Sequence, residues 1–165
     1  MTEPTTKQEA DQEVVITRVF DAPRELVFRA WTDPDYIAKW WGPEGFDTPR
    51  ESVNVDLRVG GRFDLVMVVA SAEIAAGMRV DVGAEFVDRS EIVELVEPEL
   101  LVLSLEAQPD IGLPVPTVTR IEFHEDGEGT RLKLTGGPYT PMMKPNAEAG
   151  WSGSFDKLER LLPSL

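Results

Sequence analysis

The sequence contains no cysteine and a single histidine. Without cysteine the chain has no disulfide framework, no thiol catalysis and no cysteine-ligated zinc. The histidine, His124, falls in an alternating stretch beside a glycine-containing turn, which predicts an outward-facing strand position. One imidazole without a second histidine or a cysteine makes a poor metal site. We therefore expect no metal ion and no cofactor.

Basic residues are scarce. The chain has 16 Lys and Arg against 30 Asp and Glu, a formal net charge of −14. Proteins that bind nucleic acid or anionic membranes carry basic surfaces that replace the counterions of phosphate groups, so we expect neither partner. The acidic excess is typical of a solvated surface that resists aggregation. The alternative is an acidic face that attracts a basic protein partner.

Long apolar runs are also missing. The longest, "LVMVVA", is far too short to span a bilayer. The opening "MTEPTTKQEADQE" lacks the basic start and apolar stretch of a signal peptide, so we expect a cytoplasmic protein. The length of 165 residues predicts one domain over residues 13–165, preceded by a disordered polar tail over residues 1–12.

Capping residues predict two short helices after a first strand. The β-branched residues 14–20 predict the strand. Asp21 or Ala22 is the expected N-cap of the first helix, which starts on a proline. Asp33–Pro34 repeats this start for a second helix, and Gly42–Pro43 ends it.

The middle of the chain alternates apolar and polar residues with the period of a β-strand. Glycines at Gly60–Gly61 and in "EDGEGT" predict hairpin turns. The stretch "SEIVELVEPE" fits a helix or a strand, and its β-branched residues favour a strand. Residues 71–87 have no clear period and predict a long loop or irregular strand. The pattern as a whole predicts about six to seven antiparallel strands.

The chain ends in one amphipathic helix, with Asn146 as the expected N-cap. Four apolar residues recur on one face of it: Trp151, Phe155, Leu158 and Leu162. A sheet with one apolar face and a helix with one apolar stripe bury both by packing together. We therefore predict an α+β fold in which the sheet wraps around the long C-terminal helix.

Two glycines, Gly150 and Gly153, interrupt this helix, and each costs about 1 kcal/mol relative to alanine. Two explanations apply. The commoner is a strand backbone that presses close to the helix, and the other is space left open beside it.

No catalytic constellation is apparent. The stretch "GWSGS" resembles a nucleophile elbow, but Ser154 stands where the final glycine is required. The glycines of "GGRF" belong to a hairpin, since no helix follows that could hold a phosphate. Most carboxylates fall on predicted solvent faces. We therefore predict no catalytic residues.

Trp40 and Trp41 stand side by side near the end of the second helix. With the apolar residues before them they form an arc too wide for one flat contact. One interpretation places both indoles in the core, over the edge of the sheet. The other places one indole in the core and one at the mouth of a cavity, where its N–H is available to a ligand.

Five segments occur in order between Val14 and Leu162: "VFDAPRELVFRAWTDPDYIAKWWGPEGF", "GGRF", "ELVEPELLVLS", "FHEDGEGTRLKLT" and "EAGWSGSFDKLERLL". Together they resemble the START-like SRPBCC superfamily, in the branch of bacterial homologues of the C-terminal domain of the eukaryotic heat-shock-protein-90 ATPase activator. The resemblance implies a helix-grip fold, in which a curved antiparallel sheet grips a long C-terminal helix with a hydrophobic cavity between them.

Relatives in this superfamily bind lipids, sterols, polyketides or plant hormones. The resemblance thus implies that a small apolar or amphipathic molecule binds in a pocket of roughly 300–1,000 Å³. The expected lining is Trp40, Trp41, Phe63, Leu65, Met67, Phe86, Leu103, Phe123 and Trp151.

Two alternatives to ligand binding stay open. One is a protein-interaction module of the co-chaperone type, with a role in the stress response. The other is a polyketide cyclase-like or dehydratase-like enzyme, which would need an ionisable residue pointing into the cavity. In each case we expect a monomer or a homodimer.

Overall fold

Eight strands and four helices make up the protein in the computed structural model, which describes residues 12–111 and 113–165. Most of the predicted N-terminal tail, residues 1–11, lies outside the described residues. The strands are β1 (Val14–Phe20), β2 (Phe46–Asp47), β3 (Asn54–Val55), β4 (Arg62–Val69), β5 (Glu85–Val96), β6 (Leu100–Leu105), β7 (Thr117–Asp126) and β8 (Gly129–Gly137). The helices are α1 (Arg24–Thr32), α2 (Pro34–Trp40), α3 (Ala72–Met78) and α4 (Lys144–Leu161).

The strands form one antiparallel sheet that curls into a half-barrel, in the order β1-β8-β7-β6-β5-β4-β2, with β3 also paired to β4. Apolar residues alternate with polar ones along the central strands, and the apolar face is the inner face of the sheet. The helix α4 packs against this inner face, where Phe155 and Leu158 are buried in one cluster with Leu101 and Ile121. The predicted α+β fold is confirmed.

The first two helices differ in how they begin: α2 has a side-chain cap and α1 has none. Asp33 caps α2, and its side chain accepts a hydrogen bond from the backbone N–H of Asp35 at 2.9 Å. The N-cap of α1 is Pro23, so the prediction of Asp21 or Ala22 was wrong. The reason is that the Pro23 carbonyl accepts the first backbone hydrogen bonds of the helix, and no side-chain cap is used.

The C-terminal helix starts earlier than the sequence pattern predicted. It begins at Lys144 with Met143 at the N-cap, and Asn146 lies inside the first turn. A proline, Pro145, occupies the first turn, where its missing N–H leaves no hydrogen bond unmade. The carbonyl of Thr140 accepts hydrogen bonds from Met143 and Lys144 and leads the chain into the helix.

The expectation of a long loop or irregular strand over residues 71–87 was wrong, because the stretch contains a helix, a short connection and the first residues of β5. Residues Ala72–Met78 form α3, capped by the Ser71 hydroxyl, which accepts a hydrogen bond from the N–H of Ile74 at 3.3 Å. The helix buries only Ala75, so its sequence carries almost no hydrophobic period. The strand prediction for "SEIVELVEPE" is confirmed, since this stretch lies largely in β5.

Within the described part of the chain, no helix is both long enough and apolar enough to cross a membrane.

Candidate ligand-binding recess

An aromatic cluster fills the inner face beside α1 and α2. Trp31 stacks on Trp151 with 5.7 Å between ring centroids, and it meets Trp40 and Trp41 edge to face at 4.9 Å and 5.5 Å. Trp40 is fully buried, and its indole N–H donates to the carbonyl of Ala30 at 2.9 Å. Trp40 is therefore a satisfied core residue.

Trp41 is also buried, with an exposed fraction of 6%. Its ring lies 5.5 Å from that of Phe63 and 5.2 Å from that of Trp151, measured between centroids. Trp151 is only half-buried and so connects the cluster to accessible space. That one indole of the Trp40–Trp41 pair borders a cavity stays a prediction, and Trp41 is the one in ring contact with Phe63.

The structure brings most of the predicted lining residues together. Six are buried in the main core: Trp40, Trp41, Phe63, Leu65, Leu103 and Phe123. Met67 and Trp151 are half-buried and pack against that core. Phe86 is half-buried opposite Met67 on β5, and its ring contacts Phe46 with 6.2 Å between centroids.

The inner face is not equally covered along its length. Tyr139 belongs to a second, smaller apolar cluster, with Leu105 and Ala147 packed against it. Trp151, which packs against the main core, comes close to Tyr139, and half-buried and polar side chains occupy this part of the inner face, which we call the recess. We define the recess by six residues: Met67, Phe86, Asp88, Tyr139, Gly150 and Trp151.

Asp88 is the chemically distinctive residue of the recess. Period-two alternation places it on the inner face with Phe86 and Ser90, and its cross-strand partner is Leu65. Its carboxylate accepts a hydrogen bond from the Ser90 hydroxyl at 3.1 Å. Among the described residues, no lysine or arginine forms an ion pair with it. Asp88 thus places a carboxylate on the apolar inner face without a cationic partner among the described residues.

Loss of hydration raises the pKa of the Asp88 carboxyl to about 6. The hydrogen bond from Ser90 lowers this pKa, and the negative charge of Asp64 raises it. Asp88 is enclosed by protein and still keeps some solvent-accessible surface, as a side chain in a recess does. Near neutral pH it is mostly ionised, and a small change in surroundings would alter its charge.

Tyr139 and Trp151 contribute the other polar groups of the recess. Burial raises the pKa of the Tyr139 hydroxyl, the Trp151 indole N–H lowers it as a hydrogen-bond donor, and the charge of Asp88 raises it further. Tyr139 is therefore a neutral phenol near pH 7. We call Asp88, Tyr139 and Trp151 the polar triad of the recess.

Hydroxyl groups on β7 add to the polar groups of the inner face. Thr117 and Thr119 are buried on the inner face, and the Thr117 hydroxyl has no hydrogen-bond partner among the described residues. A Cβ on Gly136 would lie 3.4 Å from the Thr119 hydroxyl and 3.7 Å from that of Tyr139. The inner face therefore carries several hydroxyls between two apolar clusters.

The presence of glycine at positions 150 and 153 of α4 has a different explanation in each case. A Cβ on Gly153 would lie 2.8 Å from the Cβ of Pro43, so close approach explains this glycine, although a loop rather than a strand presses on the helix. A Cβ on the half-buried Gly150 would meet no atom within 4 Å. Gly150 lies one turn from both Ala147 and the buried Ser154. Open space therefore lies beside this face of α4.

Polar contacts hold α4 in place around the recess. The Lys157 ammonium donates to the carbonyls of Gly42 at 2.9 Å and Phe46 at 3.2 Å. Burial lowers the pKa of Lys157, which Glu44 and Asp47 partly oppose.

Two surface depressions lie outside the recess. One, of about 530 Å³, lies between residues 21–25 and residues 125–129 at the β7–β8 turn. The other, of about 210 Å³, is lined by Val87 and Arg89 together with residues 106–108. Neither contains a residue that we assigned to the cavity. His124 lies on β7, and its Nε2 is 3.0 Å from a carboxylate oxygen of Glu122.

A curled antiparallel sheet that grips a long C-terminal helix, with polar groups on its inner face, defines a helix-grip protein of the START-like SRPBCC superfamily. The chain belongs to the family of Activator of Hsp90 ATPase homolog 1-like proteins, whose model matches residues 21–163. This family and this fold are consistent with a ligand-binding module and with a co-chaperone-like module.

Solved structures of bacterial proteins share the fold. Protein CV1439 from Chromobacterium violaceum is 27% identical with a TM-score of 0.77, over 92% of this chain and 96% of that one. The AHSA1-like protein from Aeromonas hydrophila is 24% identical with a TM-score of 0.72, over 92% of each chain. Protein NE0264 from Nitrosomonas europaea is 24% identical with a TM-score of 0.73, over 94% of this chain and 96% of that one. Among curated proteins, no match was found.

Proposed function

We propose that this protein binds a small amphipathic molecule in the recess. The apolar part of the ligand lies against Met67, Phe86 and Trp151, and its polar part lies against Asp88 and Tyr139. The observation that carries the proposal is the placement of Asp88: an ionisable group on the inner face, enclosed by protein, beside half-buried apolar side chains.

The free-energy cost of removing the Asp88 carboxylate from water supports this interpretation. A carboxylate removed from water without a cationic partner destabilises the folded state. An aliphatic side chain at position 88 would complete the apolar face between Phe86 and Leu65 without that cost. Residues that lower stability and lie in a concave site are typical of binding or catalytic sites. The recess also fits the superfamily, in which ligands bind between the sheet and the last helix.

One observation favours a second candidate, an enzyme of the cyclase-like type. Asp88 is the inward-facing ionisable residue that such an activity requires, and a pKa of about 6 suits a general base near neutral pH. In that role Asp88 would accept a proton from the bound substrate, while the Tyr139 hydroxyl donates a hydrogen bond to a substrate oxygen. Binding in the recess is common to both candidates.

Filling the open space beside α4 should block binding. Gly150→Leu should weaken the binding of the neutral dye N-phenyl-1-naphthylamine roughly tenfold, because displacing about two methylene contacts costs about 1.6 kcal/mol at about 0.8 kcal/mol each. Dye fluorescence during a titration with protein measures the affinity.

The matched control is Gly77→Leu. Gly77 also lies inside a helix, on the exposed surface of α3, and a Cβ there meets no atom within 4 Å. Both substitutions remove a helix glycine and so favour the helix. Equal dye affinity in the two variants, or no dye binding by the wild-type protein, would count against the recess as the binding site.

A further inference from the structure

The polar triad indicates which chemical class of ligand the recess accepts. Building on the ligand-binding function proposed above, we propose that the ligand carries a cationic nitrogen, such as a protonated amine, which pairs with the Asp88 carboxylate. The apolar remainder of such a ligand lies against the aromatic and methionine side chains.

The hydrogen bonding of Asp88 is the first argument. An ionised carboxylate has about four acceptor positions, and the Ser90 hydroxyl at 3.1 Å is its one hydrogen-bond donor among the described residues. Several other carboxylates in the described chain pair with arginines, as Asp156 does with Arg18 at 2.7 Å. A ligand ammonium would supply both the charge and the donors that Asp88 lacks.

The walls of the recess are the second argument. Phe86 lies two residues from Asp88 on the inner face of β5, and the charge of Asp88 acts on Tyr139, to which the Trp151 indole N–H is a hydrogen-bond donor. Aromatic faces attract cations, and the attraction increases where water is excluded. The combination of one carboxylate with aromatic walls therefore favours an alkylammonium group over a neutral hydroxyl group.

The charges around the site are the third argument. The one charged group that acts on the pKa of Asp88 is Asp64 on β4, which alternates to the outer face of the sheet and pairs with Arg62 at 3.0 Å. Tyr139, on whose pKa the charge of Asp88 acts, is neutral near pH 7. Beside Tyr139, α4 contributes the uncharged Ala147 and Trp151, and the cation of its first turn, Lys144, has an interaction of its own. An anionic ligand would thus meet the unpaired carboxylate of Asp88, whereas a cationic ligand would be attracted by it.

Three probes with the same alkyl chain test the inference: decylammonium, decanol and decanoate, each below its self-association concentration. Isothermal titration calorimetry at pH 7.5 should show decylammonium binding roughly tenfold or more tightly than decanol, as expected for a hydrogen bond to a charged group. Decanoate should bind more weakly than decanol. At pH 5, where Asp88 is mostly protonated, the preference for decylammonium should shrink.

Two variants separate the recess from the acidic surface. Asp88→Asn should remove the preference for decylammonium over decanol. Glu91→Gln, which removes one exposed charge from the same strand β5, should retain the preference.

The outcomes distinguish the two proposals. Equal affinities for decanol and decylammonium would overturn the cationic-ligand inference and leave the binding function standing. A preference that survives Asp88→Asn would assign the effect to the acidic surface and would also overturn the inference. If none of the three probes binds, both proposals fail.

Discussion

Trp40→Ala should lower the free energy of unfolding by about 3–5 kcal/mol, the usual cost of truncating a large buried aromatic residue. Trp40 is fully buried, its ring centroid lies 4.9 Å from that of Trp31 and 6.4 Å from that of Phe155, and its N–H bonds to the Ala30 carbonyl. Urea denaturation followed by circular dichroism measures the change.

Trp40→Phe is the matched control. It keeps an aromatic ring in the cluster and removes the hydrogen bond to Ala30, so its loss of stability should be clearly smaller than that of the alanine variant. If Trp40→Ala lowers stability by less than about 1 kcal/mol, the indole does not hold α2 against the core as the structure implies.

Asp88→Asn should make the ligand-free protein more stable at pH 7. The pKa of Asp88 is about 6 in the folded protein against an ordinary value of 3.8. The folded state therefore binds this proton more tightly than the unfolded state, and ionisation of Asp88 favours unfolding. A pKa difference of about two units corresponds to about 3 kcal/mol.

The pH dependence gives this prediction its sign. Below about pH 4 the carboxyl is protonated in both states and wild type loses nothing to Asp88. As pH rises from about 4 to about 6 the wild-type protein loses stability relative to Asp88→Asn, and above that range the difference is constant. Thermal unfolding across this pH range measures it.

Glu91→Gln is the control, because Glu91 lies on the exposed face of the same strand. It should show no comparable pH-dependent gain. A variant Asp88→Asn that is equally stable or less stable than wild type at pH 7 would show that the carboxylate is not held at a cost in the folded state.

The fold could be predicted from sequence because its signals are local. Period-two strands, hairpin glycines and the apolar stripe of Phe155, Leu158 and Leu162 each indicate one element, and together they require a sheet packed on a helix. The prediction for residues 71–87 was wrong because α3 buries a single side chain, so that its sequence has almost no hydrophobic period.

The polar triad could not be predicted in the same way. Asp88 lies two residues from Phe86 and two from Ser90, so alternation would have placed it on the inner face. However, the unassigned stretch before it hid the start of β5, and most carboxylates were expected to face solvent. Tyr139 lies in a proline-containing loop without a period, and only the packing of α4 brings it to Trp151.

The paired tryptophans show the limit of pattern analysis most clearly. The sequence left two interpretations for Trp40 and Trp41, and the structure buries both side chains. The burial comes from Trp31 on α1 and Trp151 on α4, which enclose the pair from other elements. No single helix pattern contains that information.

The most direct test of the recess is a titration of ¹⁵N-labelled protein with decanol, followed by the indole and amide N–H signals in NMR spectra. We expect the signals of the Trp151 indole N–H and of the Asp88 and Ser90 amides to shift together, while the signal of the Trp40 indole N–H, bonded to Ala30, stays in place. Shifts confined to residues 125–129 around the surface depression, with the Trp151 signal unmoved, would contradict it.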